Sequence, residues 1–256
     1  LAVLSAACLK GAPTEVGRVT PNLAAAGEAA RWHGVGGRWE FDGGVLRQEK
    51  ADEYWCVHLR DGALADVSLS LRCKILEVHP SYPAAGYVVI AFRAQGARQY
   101  YSVHLKATGE LALAEYCSPP SEGRRVWRPF GKPHRLAPGK LPLDPWYRVD
   151  VEATGPRVRA RAYPDGQPAP PWQVEQDLSA QVPIDHAGAD VNLLGRIGFG
   201  TSNCRAEFAE VVIEARPSPA LLKQPVARAL SGVKRLAGAV DGAGARERVM
   251  RVLASL

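Results

Sequence analysis

From Trp32 to Ala215 the chain is a succession of short apolar runs separated by turn-forming residues, and long helical periodicity is absent throughout. The runs are Tyr54 to Leu59, Ala65 to Val78, Gly86 to Arg93, Tyr100 to Lys106, Leu111 to Tyr116, Trp146 to Ala153, Arg157 to Tyr163, Gly195 to Gly200 and Ala206 to Ala215. Arg38 to Arg47 alternates around an Asp-Gly turn and reads as a hairpin. The 25 glycines and 20 prolines fall largely between the runs, where turns need them. Many short strands with no intervening helix predict an all-β, two-sheet antiparallel jelly-roll sandwich.

One hairpin is legible pair by pair. A two-residue turn at Thr154-Gly155 sets Glu152 opposite Arg157 and Asp150 opposite Arg159, with Val151 meeting Val158 and Val149 meeting Ala160 on the other face. Opposite charges on one side and apolar residues on the other are what a half-buried antiparallel pair requires.

The order of features resembles the concanavalin A-like lectin/glucanase superfamily, including laminin-G-like and 3-keto-disaccharide-hydrolase-like domains. It is carried by Trp39 with Asp42-Gly43-Gly44-Val45-Leu46, Asp66 to Leu71, Gly86 to Arg93 with Tyr101-Ser102-Val103, Trp146 to Val149, Asp165-Gly166, Gly195 to Phe199 and Ala206 to Ile213. The resemblance covers roughly residues 32–215. It implies two packed antiparallel sheets, one of them often concave and sugar-facing. It does not choose among lectin, glycosidase and adhesion module, because one fold hosts all three.

Three regions follow: 1–31 as leader and linker, 32–216 as the sandwich, and 217–256 as a basic helical tail. In the tail, Leu222, Val226, Leu230, Val233, Leu236 and Val240 form an amphipathic stripe. Residues 219–241 are therefore a candidate contact with a protein partner or a membrane surface. The net charge is +6, but seven basic and two acidic residues after 216 account for +5 of it. That placement removes the support for a nucleic-acid partner. Leu1 to Cys8 looks like the end of a signal-peptide apolar region and also resembles a lipoprotein box with Cys8 as the lipidated residue. The expectation is an exported protein: secreted, periplasmic or lipid-anchored. The remaining cysteines, Cys56, Cys73, Cys117 and Cys204, allow two disulfides or free thiols and show no zinc-ligand spacing.

Candidate chemistry is sparse. Glycoside hydrolysis needs two carboxylates flanking the scissile bond. Glu175-Gln176-Asp177 begins the Glu-x-Asp-x-x-Glu pattern of the glucanase branch but lacks its third acid, and nearby prolines make it a loop. Glu110 and Glu115 are not spaced as a pair. Asp185, His186 and Asp190 could supply oxygen and imidazole ligands to a metal, but calcium prefers several carboxylates and carbonyls, and the segment also reads as a plain polar loop. No cofactor is otherwise expected.

Alternation places Arg93, Tyr100 and His104 on one sheet face, away from Val88, Ile90 and Phe92. An aromatic ring with hydrogen-bonding neighbours suits a sugar. Trp127 and Trp172 sit in Arg/Pro-rich segments that read as loops, where exposed tryptophans commonly serve recognition. The Arg157, Arg159, Arg161 ladder reads as structural. The expected function is a non-catalytic carbohydrate-binding or adhesion-type module that takes a glycan or polysaccharide through Arg93, Tyr100, His104, Trp127 and Trp172. The alternatives are a hydrolase of the 3-keto-disaccharide kind and a structural subunit docked through the tail.

Overall fold

The computed structural model describes residues 17–216, apart from 20, 26, 52–53, 60–63, 65, 97–98, 118–125 and 179–194. For 17–19, 35, 54–59, 95–96, 99, 117, 126 and 216 only the backbone is described. The leader with Cys8, the Asp185 to Asp190 segment and the helical tail lie outside the described residues, as do the side chains of Cys56 and Cys117.

The described strands are β1 (Gly17–Val19), β2 (Trp32–Val35), β3 (Trp39–Asp42), β4 (Val45–Gln48), β5 (Tyr54–Leu59), β6 (Asp66–Val78), β7 (Tyr87–Gly96), β8 (Gln99–Lys106), β9 (Glu110–Cys117), β10 (Val126–Arg135), β11 (Tyr147–Thr154), β12 (Arg157–Pro164), β13 (Val174–Asp177), β14 (Arg196–Ser202) and β15 (Cys204–Arg216). Sheet A runs β13-β12-β11-β6-β15-β4-β3, with β1 also on β15. Sheet B runs β10-β9-β8-β7-β14-β5-β2. Every pairing is antiparallel.

Alternation builds the core. From sheet A, Val67, Leu69, Leu71, Cys73 and Ile75 of β6 and Val149, Val151 and Ala153 of β11 face inward. Sheet B answers with Val88, Ile90 and Phe92, then Tyr101, Val103 and Leu105, and then Ile197 and Phe199. Phe199 and Phe208 stack across the gap at 5.2 Å. This is the two-sheet sandwich that the sequence predicts.

Several details differ from the sequence reading. The β11–β12 turn is Gly155-Pro156, not Thr154-Gly155, so Glu152 faces Arg159 and Asp150 faces Arg161. The slip is two residues and keeps every side chain on its predicted face. Gly155 has φ 51°, a conformation that glycine adopts without a Cβ penalty. Pro156 beside it takes a turn position where no N–H is needed. In the β3–β4 hairpin the turn is likewise Gly43-Gly44, with φ 57° and 85°.

Two segments read as loops are strands. β10 and β13 are the terminal strands of their sheets, and Pro129 and Pro133 are tolerated in β10 because an edge strand leaves one side of its backbone unpaired. The sandwich also begins before residue 32. β1 pairs with β15, and Leu23 and Trp32 are buried in the core. Cys73 and Cys204 are free, buried thiols rather than disulfide partners.

A ring-lined face of sheet B

The side of sheet B turned away from the core carries a second, smaller cluster: Val89, Ala91, Ala94 and Tyr100, with Tyr87 and Tyr116 against it. Strand register sets its layout. Val89 lies beside His104 and Ala91 beside Ser102. His104 lies beside Ala112, Ser102 beside Ala114, and Tyr100 beside Tyr116. Trp127 of β10 is opposite Tyr116.

The rings stand in rows across the strands. Tyr87 stacks on His104 at 4.6 Å between centroids, tilted by 17°. His104 stacks on Trp127 at 5.9 Å and 16°. Trp127 comes from two strands away, and the short side chains of Ala112 and Ala114 on the intervening β9 leave room for it. Tyr100 and Tyr116 form a parallel row at 5.4 Å. The centre of the face is closely packed, with Tyr100, Ser102, His104 and Ala114 all buried. Trp127, at 40% exposed, is where the row meets solvent.

The polar groups are few and directed. Ser102 donates to the Ala114 carbonyl at 3.2 Å. The same hydroxyl is hydrogen-bonded to His104 Nε2 at 2.9 Å. The other ring nitrogen, Nδ1, is buried and without a hydrogen-bond partner. Burial, assisted by nearby Lys106, lowers the imidazole pKa to about 3, so His104 is neutral. One same-face step along β8, about 7 Å, lies Lys106. Its Nζ meets Glu110 at 3.1 Å, and Arg135 of β10 meets the other carboxylate oxygen at 3.2 Å.

Three of the five predicted ligand residues, Tyr100, His104 and Trp127, thus share this face. Arg93 does not. A bulge interrupts β7 after Phe92, and Arg93 takes φ 51°. Alternation is broken there, so Ala94 rather than Arg93 continues the face of Ala91. The Arg93 side chain is buried at one end of the sandwich, where Nη2 donates to the Gly155 carbonyl of sheet A at 2.6 Å. Burial lowers its pKa to about 10, against the opposing pull of Asp66. Trp172 lies on sheet A, with the Arg159 and Arg161 guanidiniums over its ring at 4.6 and 4.7 Å.

Tyr87, Ser102, Tyr116, Lys106, Glu110 and Arg135 complete the face. The alternation that selects Tyr100 and His104 also points Tyr87 and Tyr116 outward, so they were within reach of the sequence. Glu110 and Glu115 lie on opposite faces of β9, since Glu115 pairs with inward-facing Tyr101. Burial pushes the Glu115 carboxyl above its usual range, opposed by Arg128 at 3.8 Å. Glu175 of β13 is held by Arg157 at 2.6 Å. Among the described residues, no three His, Cys, Asp or Glu side chains gather to hold a metal ion. No helix among them is long and apolar enough to cross a membrane.

No protein-family model matches the chain, and no curated protein does. Solved structures do. The carbohydrate binding module CBM66 from Bacillus subtilis is similar at 15% identity over 72% of this chain and 96% of that one, with TM-score 0.53. The VIP36 exoplasmic/lumenal domain in its Ca2+/Man2-bound form is similar at 8% identity over 80% of this chain and 90% of that one, with TM-score 0.51. Its Ca2+/Man3GlcNAc-bound form gives 8%, 82%, 94% and 0.51. The shared architecture is the concanavalin A-like sandwich.

Proposed function

We propose that this protein is a non-catalytic carbohydrate-binding module of an exported protein, and that its glycan docks on the outer face of sheet B at Trp127. The observation that carries the reading is the Trp127–His104–Tyr87 row. One face of Trp127 is backed by a neutral imidazole, so the ring is held rigid while 40% of the residue stays exposed. A pre-ordered ring loses little freedom on binding, and the C–H face of a sugar can stack on it. Among solved structures of this fold, one is named a carbohydrate binding module and another holds Man2. Their sharing of the fold supports the class of ligand and leaves its identity to experiment. The exported location accords with the leader-like start of the sequence.

The test is a broad glycan array probed with the full chain, with and without calcium. Specific binding that falls at least tenfold in Trp127→Ala, and persists in the control Tyr82→Ala on an exposed loop, supports the reading. A blank array from folded protein overturns it and favours an assembly role for residues 217–256. Cleavage of array glycans would instead establish the hydrolase alternative.

A further inference from the structure

Building on that reading, we infer that the glycan bound at this face is anionic, bearing a carboxylate or a sulfate. Residues 100–141 hold seven basic and three acidic side chains, a net of +4. Residues 1–216 as a whole net only +1, so the rest of that span carries −3. The positive excess therefore belongs to the segment that supplies β8, β9 and β10, the strands that hold Trp127 and His104.

Of these cations, Lys106 and Arg135 stand at the rim of the face, while Arg128 points to the opposite side of β10, toward Glu115. Lys106 follows His104 on the same side of β8, and Arg135 lies opposite Glu110 on the neighbouring pair of strands. Two cations share one carboxylate there, at 3.1 and 3.2 Å, which leaves one positive charge uncompensated. Arg135 retains 56% and Lys106 22% side-chain exposure, so both can turn donors toward a ligand. Lys132 and Lys140 add exposed charge on and after the same edge strand.

The outer face of sheet A makes the contrast. Its cations are drawn into a network with its acids: Arg72 and Arg148 with Glu210 and Asp165, Lys74 with Glu207 and Asp144, Arg159 with Glu152, and Arg161 with Asp150. A neutral sugar would need only the ring and hydrogen-bonding groups. A rim with surplus donors one step from the ring row fits a sugar that carries a negative group. Such attraction acts mainly through encounter rate and selectivity, and salt screens it.

The experiment compares full-chain binding to neutral oligosaccharides, to polygalacturonate and its methyl-esterified form, and to sulfated polysaccharide, between 50 and 500 mM salt. Anionic ligands are expected to bind, to weaken at least tenfold across that salt range, and to lose roughly a further fivefold in each of Lys106→Met and Arg135→Gln. Arg148→Gln, on the outer face of sheet A, should leave binding unchanged. Polygalacturonate binding that is lost on esterification assigns a carboxylate ligand; binding of the sulfated arm alone assigns a sulfate. Neutral glycans bound equally well and independently of salt overturn the charge inference while leaving the glycan reading intact. No binding in any arm overturns both.

Discussion

The sharpest test of the ring-lined face does not need its ligand. His104 is 2% exposed and clamped between Tyr87 and Trp127, and its pKa is lowered from 6.5 to about 3. In the unfolded chain the same imidazole titrates near 6.5. Between these values the unfolded state holds a proton that the folded state refuses, so stability must fall as pH drops from 6.5 toward 3. Integrating that difference gives a loss of about 2 kcal/mol between pH 7 and pH 5, and about 3 kcal/mol by pH 4.

Carboxylates titrate in the same range, so the comparison is made against His104→Gln, which cannot charge and can still hydrogen-bond Ser102. Urea unfolding of both proteins at half-unit steps from pH 7 to pH 4.5 gives the difference in stability directly. It should narrow or reverse in favour of the glutamine variant as pH falls, by about 2 kcal/mol at pH 5. Ring proton shifts of His104 in the folded protein should stay flat over the same interval. A pH-independent difference, or a native-state titration above pH 5, would refute the buried neutral imidazole and with it the row that orders Trp127.

Other perturbations probe the frame around the face. Gly195→Ala would put a Cβ 2.5 Å from the Ala94 nitrogen and 2.6 Å from the Arg93 Cα. Backbone cannot yield cheaply, so the expected loss is about 3 kcal/mol or more, seen as a fall in Tm of roughly 6–12 °C. Cys204, pushed up to about 12 by burial, and Cys73, raised further by the same cause, should resist thiol reagents in the native protein and react at once in denaturant. Trp127→Ala, on a terminal strand and partly exposed, should cost no more than about 1.5 kcal/mol of stability, the worth of a ring pair. A larger loss in urea unfolding would mean that the ring is a structural plug.

How far the sequence reached can be judged at particular residues. Where side chains alternate without interruption, as in β6, β8 and β11, the inward and outward sets follow from composition alone. At β11–β12 the expected charged partners are off by two residues, yet each side chain keeps its expected side of the sheet, because moving a two-residue turn by one position shifts each partner by two. Arg93 was misplaced because a bulge adds a residue without any mark in the local pattern. β10 was hidden by its prolines, which argue against a central strand but not against an edge. That omission mattered most. It put Trp127 in a loop, when its place on β10 is what lets it lean over Ala112 onto His104.

The two outer faces also show why a sandwich of this kind would bind through one sheet rather than both. On sheet A, Arg72 and Arg148 share Glu210 and Asp165, and each of the two tryptophans there, Trp146 and Trp172, lies under a pair of cations. A ligand arriving on that face must break charge pairs and uncover rings before it makes any contact of its own. On sheet B the outward alanines and glycines are buried beneath upright rings, and the described face meets solvent at Trp127 and at the rim where Lys106 and Arg135 share Glu110. A ligand there displaces water from a ring edge and adds an anion to cations already in place. The difference arises from the outward positions of each strand: acids and arginines in β6, β11, β12 and β15, small residues and aromatics in β7, β8, β9 and β14. On the reading proposed above, the glycan would therefore meet sheet B, where Trp127 and a rim cation are not committed to partners on the same face as fully as those of sheet A.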